Sequence, residues 1–310
     1  MRILLTGAGG FLGRHVTRLL SENDENHLTL LDSPDSRLSA GLRRVRCDLS
    51  DQEMTVAALR DRSYDVLIHL AGLPGVRDYA RLQAENALGT KNLLIALEDR
   101  VRRVVVAGSC AVYGEAMNGE PLDEFSYVDP PTPYGRSMAA REALAREMAG
   151  MYGTELCTLR LFDLVGPGQP AVAQVPRMAR DLVRIKLDQA PPRLETGPLR
   201  TRRDYVDVRD AARAFGAAMG YRGRLPEKMN IASGRNWSGR QLLEAMASSL
   251  SVDPEVAESS ESGGIVEIRG DPSLASSTLG WEAETPMSTT LSDILKEWLR
   301  RLRAPSGDGR

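Results

Sequence analysis

Three glycines set the first chemistry of this chain. In Thr6-Gly7-Ala8-Gly9-Gly10-Phe11-Leu12-Gly13 they fall at Gly7, Gly10 and Gly13, between a compact apolar run, Arg2–Thr6, and a helically spaced segment, Phe11–Leu20. The first permits a tight turn, the second lets backbone approach a pyrophosphate, and the third allows helix to pack closely on strand. The N–H groups of Gly10, Phe11 and Leu12 then face the phosphates, aided by the helix dipole. Asp32 follows 19 residues after Gly13. A carboxylate there accepts both hydroxyls of an adenosine ribose and repels a 2′-phosphate, which predicts NAD(H) over NADP(H). Arg37 could serve a 2′-phosphate, but Asp32 argues against it. Asp48 and Leu49, just past a third strand, are placed to touch the adenine, with a helix N-cap as the other reading of Asp48.

These residues need a parallel sheet wound with helices, and the pattern supplies one. Strands are expected at Arg2–Thr6, His27–Leu31, Val45–Cys47, Asp65–Leu70, Arg103–Ala107 and Glu155–Leu161. Between them come helices at Phe11–Leu20, Asp51–Arg60, Tyr79–Glu98 and Tyr134–Met151. Beyond Val165 the chain changes: proline and glycine cluster, and helices shorten to Val175–Ile185, a segment through Gly220, Ser238–Leu250 and Met287–Leu302. The expected division is a dinucleotide-binding domain over 1–165, with 201–221 packing back onto it. A smaller substrate domain then covers 166–303, followed by a frayed tail over 304–310.

Composition excludes several classes of function. The 310 residues carry 40 basic and 42 acidic side chains, a net charge of -2, so no field draws in nucleic acid or anionic lipid. All but four of the basic residues are arginine, scattered along the chain. No apolar run approaches the ~20 residues of a membrane span. Cys47, Cys110 and Cys157 are odd in number and share no C-x-x-C spacing, and His15, His27 and His69 complete no metal-ligand set. Small buried thiols in a reduced, cytoplasmic protein are the expectation, with no metal.

Six ordered motifs resemble the extended short-chain dehydrogenase/reductases, the nucleotide-sugar epimerase/dehydratase group. They are Thr6–Gly13; His69-Leu70-Ala71-Gly72; Asn86-Ala87-Leu88-Gly89-Thr90-Lys91-Asn92; Ser109-Cys110-Ala111-Val112-Tyr113-Gly114 with Pro133-Tyr134-Gly135; Leu159–Gly168; and Arg203-Asp204-Tyr205-Val206-Asp207-Val208. The resemblance covers nearly the whole chain. It implies an α/β fold: a Rossmann-type doubly wound parallel sheet with a smaller C-terminal α/β substrate domain. It further implies NAD(H) contacts from Leu70, Ala71, Gly72 and Asn86, and a nucleotide-linked sugar as substrate. Ser109 would bond the reacting sugar oxygen, Tyr134 would pass the proton and touch the nicotinamide end, and Arg203 would meet the diphosphate. The family's habit also implies a homodimer through Tyr79–Glu98 and Tyr134–Met151, with Leu144 and Met148 as candidates for the apolar stripe.

Three departures bear on the reaction. The family lysine belongs four residues after Tyr134, and Met138 stands there. Methionine neither lowers the phenol's pKa from its reference near ~10 nor holds a ribose. Arg141, seven residues on, sits about 10 Å further along the helix, so spacing does not decide whether it reaches back. Asp163 replaces an asparagine, and an ionised carboxylate repels a diphosphate that an amide would bond. Cys110 and Ala111 replace the Asp-Glu pair of the family's dehydratases, which disfavours 4,6-dehydration. Cys110 is either a proton donor or an inert thiol.

Three functions follow. Reduction of a nucleotide-linked 4-keto (deoxy)hexose needs a protonated tyrosine, which a tyrosine without its lysine supplies, and segment 197–210 resembles that of nucleotide-4-keto-6-deoxysugar reductases. A 4-epimerase must oxidise as well as reduce. A non-catalytic dinucleotide or nucleotide-sugar binder is the third.

Overall fold

Alternation builds the central sheet. Along β1 (Arg2–Thr6), Ile3 and Leu5 face one apolar cluster and Leu4 the other. Val66 and Ile68 oppose Leu67 on β4 (Tyr64–His69), and Val105 opposes Val104 and Val106 on β5 (Val101–Ser109). A strand buried on both faces needs helices on both faces. α1 (Phe11–Leu20) and α7 (Val208–Gly220) cover one side with Leu12, Val16, Ala211 and Phe215. α2 (Gln52–Leu59), α4 (Gly89–Leu97) and α5 (Pro133–Tyr152) cover the other with Leu59, Leu93 and Ala145. The computed structural model describes residues 1–33, 36, 41–74, 78–114, 119–259 and 267–303. Arg37 and the tail 304–310 lie outside them.

The central sheet has seven strands, all parallel, in the order β10 (Lys228–Ile231), β6 (Glu155–Leu161), β5, β4, β1, β2 (His27–Asp32) and β3 (Arg43–Arg46). The order reverses between β1 and β4, and in such sheets the crevice beyond the strand ends at that switch point holds the ligand. This is the expected Rossmann-type fold. The seventh strand, β10 (Lys228–Ile231), lies far beyond residue 165 and pairs with β6 (Glu155–Leu161) in the register Lys228↔Thr158. Four residues, three of them buried, are too few to advertise a strand in the sequence.

Two expected elements differ in detail. The third strand, β3, is Arg43–Arg46 rather than Val45–Cys47. It lies at the sheet edge, where only Val45 is buried and three arginines are solvated, a composition that suits an edge. The helix expected over Tyr79–Glu98 is α3 (Tyr79–Leu82) running through a π-helical segment, Gln83–Leu88, into α4. The wider turn directs Asn86 inward, where it is fully buried.

The C-terminal part has its own apolar cluster. Met178 and Leu182 of α6 (Gln174–Lys186), Leu242 and Met246 of α8 (Gly239–Leu250), and Ile294 of α10 (Met287–Arg303) form it. Ser238 caps α8 in a reciprocal capping box with Gln241. A small sheet centred on β9 (Arg202–Asp207) also takes in β7 (Asp163–Val165), placing Asp163 beside Tyr205 in register.

Candidate active site

The glycine turn lies at the switch point. Gly7 has φ +71°, which favours glycine, and a Cβ on it would meet the Ala71 nitrogen at 2.6 Å. At Gly13 a Cβ would meet the Gly7 carbonyl oxygen at 2.0 Å, so only hydrogen lets α1 sit this close to the turn. Gly10 is the N-cap of α1 and offers no side-chain cap to the first-turn N–H groups. Those of Phe11 and Leu12 therefore suit a pyrophosphate. Phe11 packs edge-on to His15, ring centroids 5.8 Å apart. Asp32 ends β2 (His27–Asp32) and clips the turn from the strand beside β1: Oδ2 accepts from Gly9 N at 2.8 Å and Oδ1 from Ser33 N at 3.0 Å. Each oxygen keeps a lone pair for a ribose hydroxyl. The cradle fits a dinucleotide.

Asp48 and Leu49 follow β3 on the same edge. Asp48 Oδ1 closes a turn by accepting from the Ser50 N–H at 2.9 Å and hydroxyl at 2.7 Å, and Asp51 rather than Asp48 caps α2. The Leu49 side chain is buried in the core, where it packs against Gly89.

β4 delivers His69 and the Leu70-Ala71-Gly72 turn. His69 is fully buried between two hydroxyls, with Nδ1 2.6 Å from Thr6 Oγ1 and Nε2 2.8 Å from Thr90 Oγ1. Thr90 donates to the Asn86 carbonyl, so it accepts from Nε2–H, and Nδ1 accepts from Thr6. Burial, and then the nearby Arg141 charge, holds this imidazole well below its usual pKa. It is a neutral strut. Thr6 Oγ1 in turn accepts from Ala71 N at 3.1 Å. Asn86 pins the same turn, accepting from Leu73 N at 2.7 Å and donating to Ser137 Oγ at 3.0 Å. Its side chain thus locks the turn to α5.

Ser109 ends β5, and its Oγ accepts from Ala111 N at 3.1 Å, opening a short 3₁₀ turn over Cys110–Val112. α5 starts with Thr132 as N-cap and Pro133 in the first turn, so Tyr134 faces Ser109 from the helix start. Burial raises the Tyr134 phenol above its ordinary pKa. The Ser109 hydrogen bond and the Arg141 charge pull the other way, while Cys110 and Asp163 add to the rise. Cys110 lies beside it, and burial above all keeps that thiol protonated. Met138 is buried in the core with Val112 and Tyr113. Met148 is also buried, at 4% exposure, and so cannot belong to an outer apolar stripe. The expectation that it would is corrected: α5 turns that position onto the sheet. Leu144 is half-buried.

Asp163 and Arg203 come together, with Nε 4.0 Å from Oδ2. Burial raises the Asp163 carboxyl, Arg203 lowers it, and Asp204 raises it further. The acid thus faces a guanidinium. Asp204 is buried separately, its carboxylate accepting from Ser233 N and Oγ, Gly234 N and Gly270 N. The sequence gives Tyr205 no role and leaves the reach of Arg141 open: burial pushes the Tyr205 phenol up beside Asp163, and the Arg141 guanidinium reaches the end of β4. The i, i+4, i+7 stripe of Tyr134, Met138 and Arg141 was the available signal for the latter.

Among the described residues, no three His, Cys, Asp or Glu side chains group as metal ligands, and no helix is long and apolar enough to cross a membrane. The family model for the NAD dependent epimerase/dehydratase family matches residues 3–232. GDP-6-deoxy-D-mannose reductase of Pseudomonas aeruginosa is 30% identical over 312 residues, covering 97% of this chain and 98% of that one. Among solved structures, RMD from Pseudomonas aeruginosa complexed with NADPH is similar with a TM-score of 0.86 at 29% identity, over 97% of this chain and 99% of that one. MoeE5 in complex with UDP-glucose and NAD is similar at 0.84 and 31%, over 97% and 99%. The glycine cradle with its Asp32 carboxylate and the match over most of the chain agree: the chain belongs to the NAD-dependent epimerase/dehydratase family of nucleotide-sugar enzymes.

Proposed function

We propose that the protein reduces a nucleotide-linked 4-keto (deoxy)hexose with NADH, with Tyr134 as proton donor. One observation carries this reading: the Tyr134 phenol sits beside Ser109 with its pKa above the ordinary value and a methionine in place of an ammonium one turn on. Such a phenol is an acid at neutral pH, which ketone reduction requires and alcohol oxidation does not. NADH, when bound, supplies the hydride. Ser109 holds the ketone oxygen by its hydroxyl, and Tyr134 gives that oxygen its proton as the alcohol forms. Arg203 meets the diphosphate, with Asp163 setting how much of its charge is available. Cys110, protonated and buried, packs against the tyrosine. The similarity to a GDP-sugar reductase over nearly the full chain supports the same direction.

The pH dependence of the reductive rate tests the reading. It is expected to stay flat through neutrality and to fall only above the ordinary tyrosine range, with Tyr134→Phe as the blank. A rate that rises through neutral pH as a base ionises would contradict it. The proposal extends to a cytoplasmic homodimer paired through helices 79–97 and 133–152. There Tyr79, Leu88 and Met151 are exposed at 47%, 48% and 64% and supply the apolar surface that Met148 does not.

A further inference from the structure

Arg141 heads the fully buried side chains by size, yet among the described residues no carboxylate forms an ion pair with it. Its neighbour Glu142 is bound instead to Arg160, at 2.7 Å. Nη2 donates to the His69 carbonyl at 3.1 Å, and Nε, also buried, has no partner. Gly72 leaves room for the group, since a Cβ there would lie 3.1 Å from Nη1. An unpaired cation in a dry interior is strongly unfavourable for folding, so packing alone does not account for it. Helical side chains lean toward the helix N-terminus, and from position 141 that lean runs along the stripe back toward Tyr134. Burial lowers the guanidinium's pKa to about 10, with Tyr134 and Glu142 pulling it back up, so it stays charged at neutral pH.

We propose that Arg141 is the positioning cation of this site: its guanidinium, returned along α5 from beyond Met138, stabilises the Tyr134 phenolate left when the phenol gives up its proton. The inference rests on the reductase reading. In that step the Tyr134 O–H bond breaks and its electron pair stays on the phenolate oxygen. The proton joins the sugar oxygen, whose C=O π bond has opened as the carbon takes the hydride from NADH. Solvent later returns a proton to the phenolate. Four groups face the phenol: Ser109 from β5, Cys110 from the 3₁₀ turn, Asp163 from β7 and Arg141 from its own helix. Two of them, Cys110 and Asp163, resist the phenolate, and Arg141 is the one that brings positive charge among these described groups. Its pull leaves the phenol an acid while keeping the ionised form within reach.

The test reads the phenol directly. A difluorotyrosine installed at position 134 of the full chain titrates closer to neutrality, and its ¹⁹F shift against pH gives the midpoint without substrate or cofactor. Arg141→Gln and Arg141→Met are expected to raise that midpoint by about one pH unit, tenfold in the ionisation constant, and Arg141→Lys to restore it. An unmoved midpoint in folded Arg141→Gln overturns the proposal. So does failure of both neutral variants to fold while Arg141→Lys folds, since the arginine would then be structural. A raised midpoint in a protein without reductase turnover would leave the coupling standing and fault the reductase reading instead. Turnover with an unmoved midpoint would do the reverse.

Discussion

Replacing Asp32 with alanine separates two roles that the structure gives one carboxylate. Asp32 clips the glycine turn through Gly9 N and Ser33 N, and it is also the acceptor offered to the adenosine ribose. Losing the clip frees the Gly9 N–H and loosens the turn, at a cost of about 1 kcal/mol shared by NADH and NADPH alike. Losing the acceptor acts on NADH alone, because a 2′-phosphate never enjoyed it. Two hydrogen bonds to a charged group contribute about 1.5–3 kcal/mol each, and not additively, so a further loss of about 2–3 kcal/mol is expected. NADH should then weaken about 100-fold or more in total. NADPH should weaken only slightly, or tighten as the repulsion disappears. Calorimetric titration of both reduced cofactors into wild type and Asp32→Ala gives the two ratios. Wild type should prefer NADH, and the preference should collapse to within a few-fold in the variant. Equal losses for both cofactors would show that Asp32 is only a clip and would refute its role in reading the ribose.

Three further outcomes are expected. His69 is held neutral, below its unfolded pKa, so the unfolded chain binds the extra proton as pH falls through about 6.5 and stability drops with it. Urea unfolding should give about 1 kcal/mol less at pH 5.5 than at pH 6.5 from this group, and a difference unchanged in His69→Gln would count against it. Met138→Lys should speed the oxidative direction more than the reductive one by stabilising the phenolate; equal gains in both would favour an epimerase. Light scattering should give twice the chain mass, and a monomer at working concentration would remove the proposed dimer.

The parts of this protein that were legible in its sequence are those with a local cause. Gly7, Gly10 and Gly13 announce the turn because sterics there admit nothing larger, and β1 and α1 fall at the bounds their apolar periodicity sets. Ser109 and Tyr134, 25 residues apart in the chain, were paired only through a motif, and the fold brings strand end and helix start together. What stayed hidden depends on distant partners. The seventh strand is short and recruited from far along the chain, and the π segment that turns Asn86 inward has no composition signal. Met148 reversed its expected surface because burial is decided by the neighbouring helices rather than by spacing. Arg141 shares a stripe with Tyr134 in plain view, but reach is a property of a side chain's path, and the carbonyl of His69 and the room at Gly72 fix that path.

The central claim is reduction at a sugar ketone with the proton from Tyr134. Its most direct test is to incubate the pure protein and NADH with GDP-, dTDP- and UDP-linked 4-keto-6-deoxyhexoses, following nicotinamide absorbance and identifying products by NMR. The account predicts one NADH consumed per sugar converted, a single configuration at C4, and a loss of about 100-fold or more in Tyr134→Phe. An epimeric mixture formed without net NADH consumption, or full turnover by Tyr134→Phe, would contradict it.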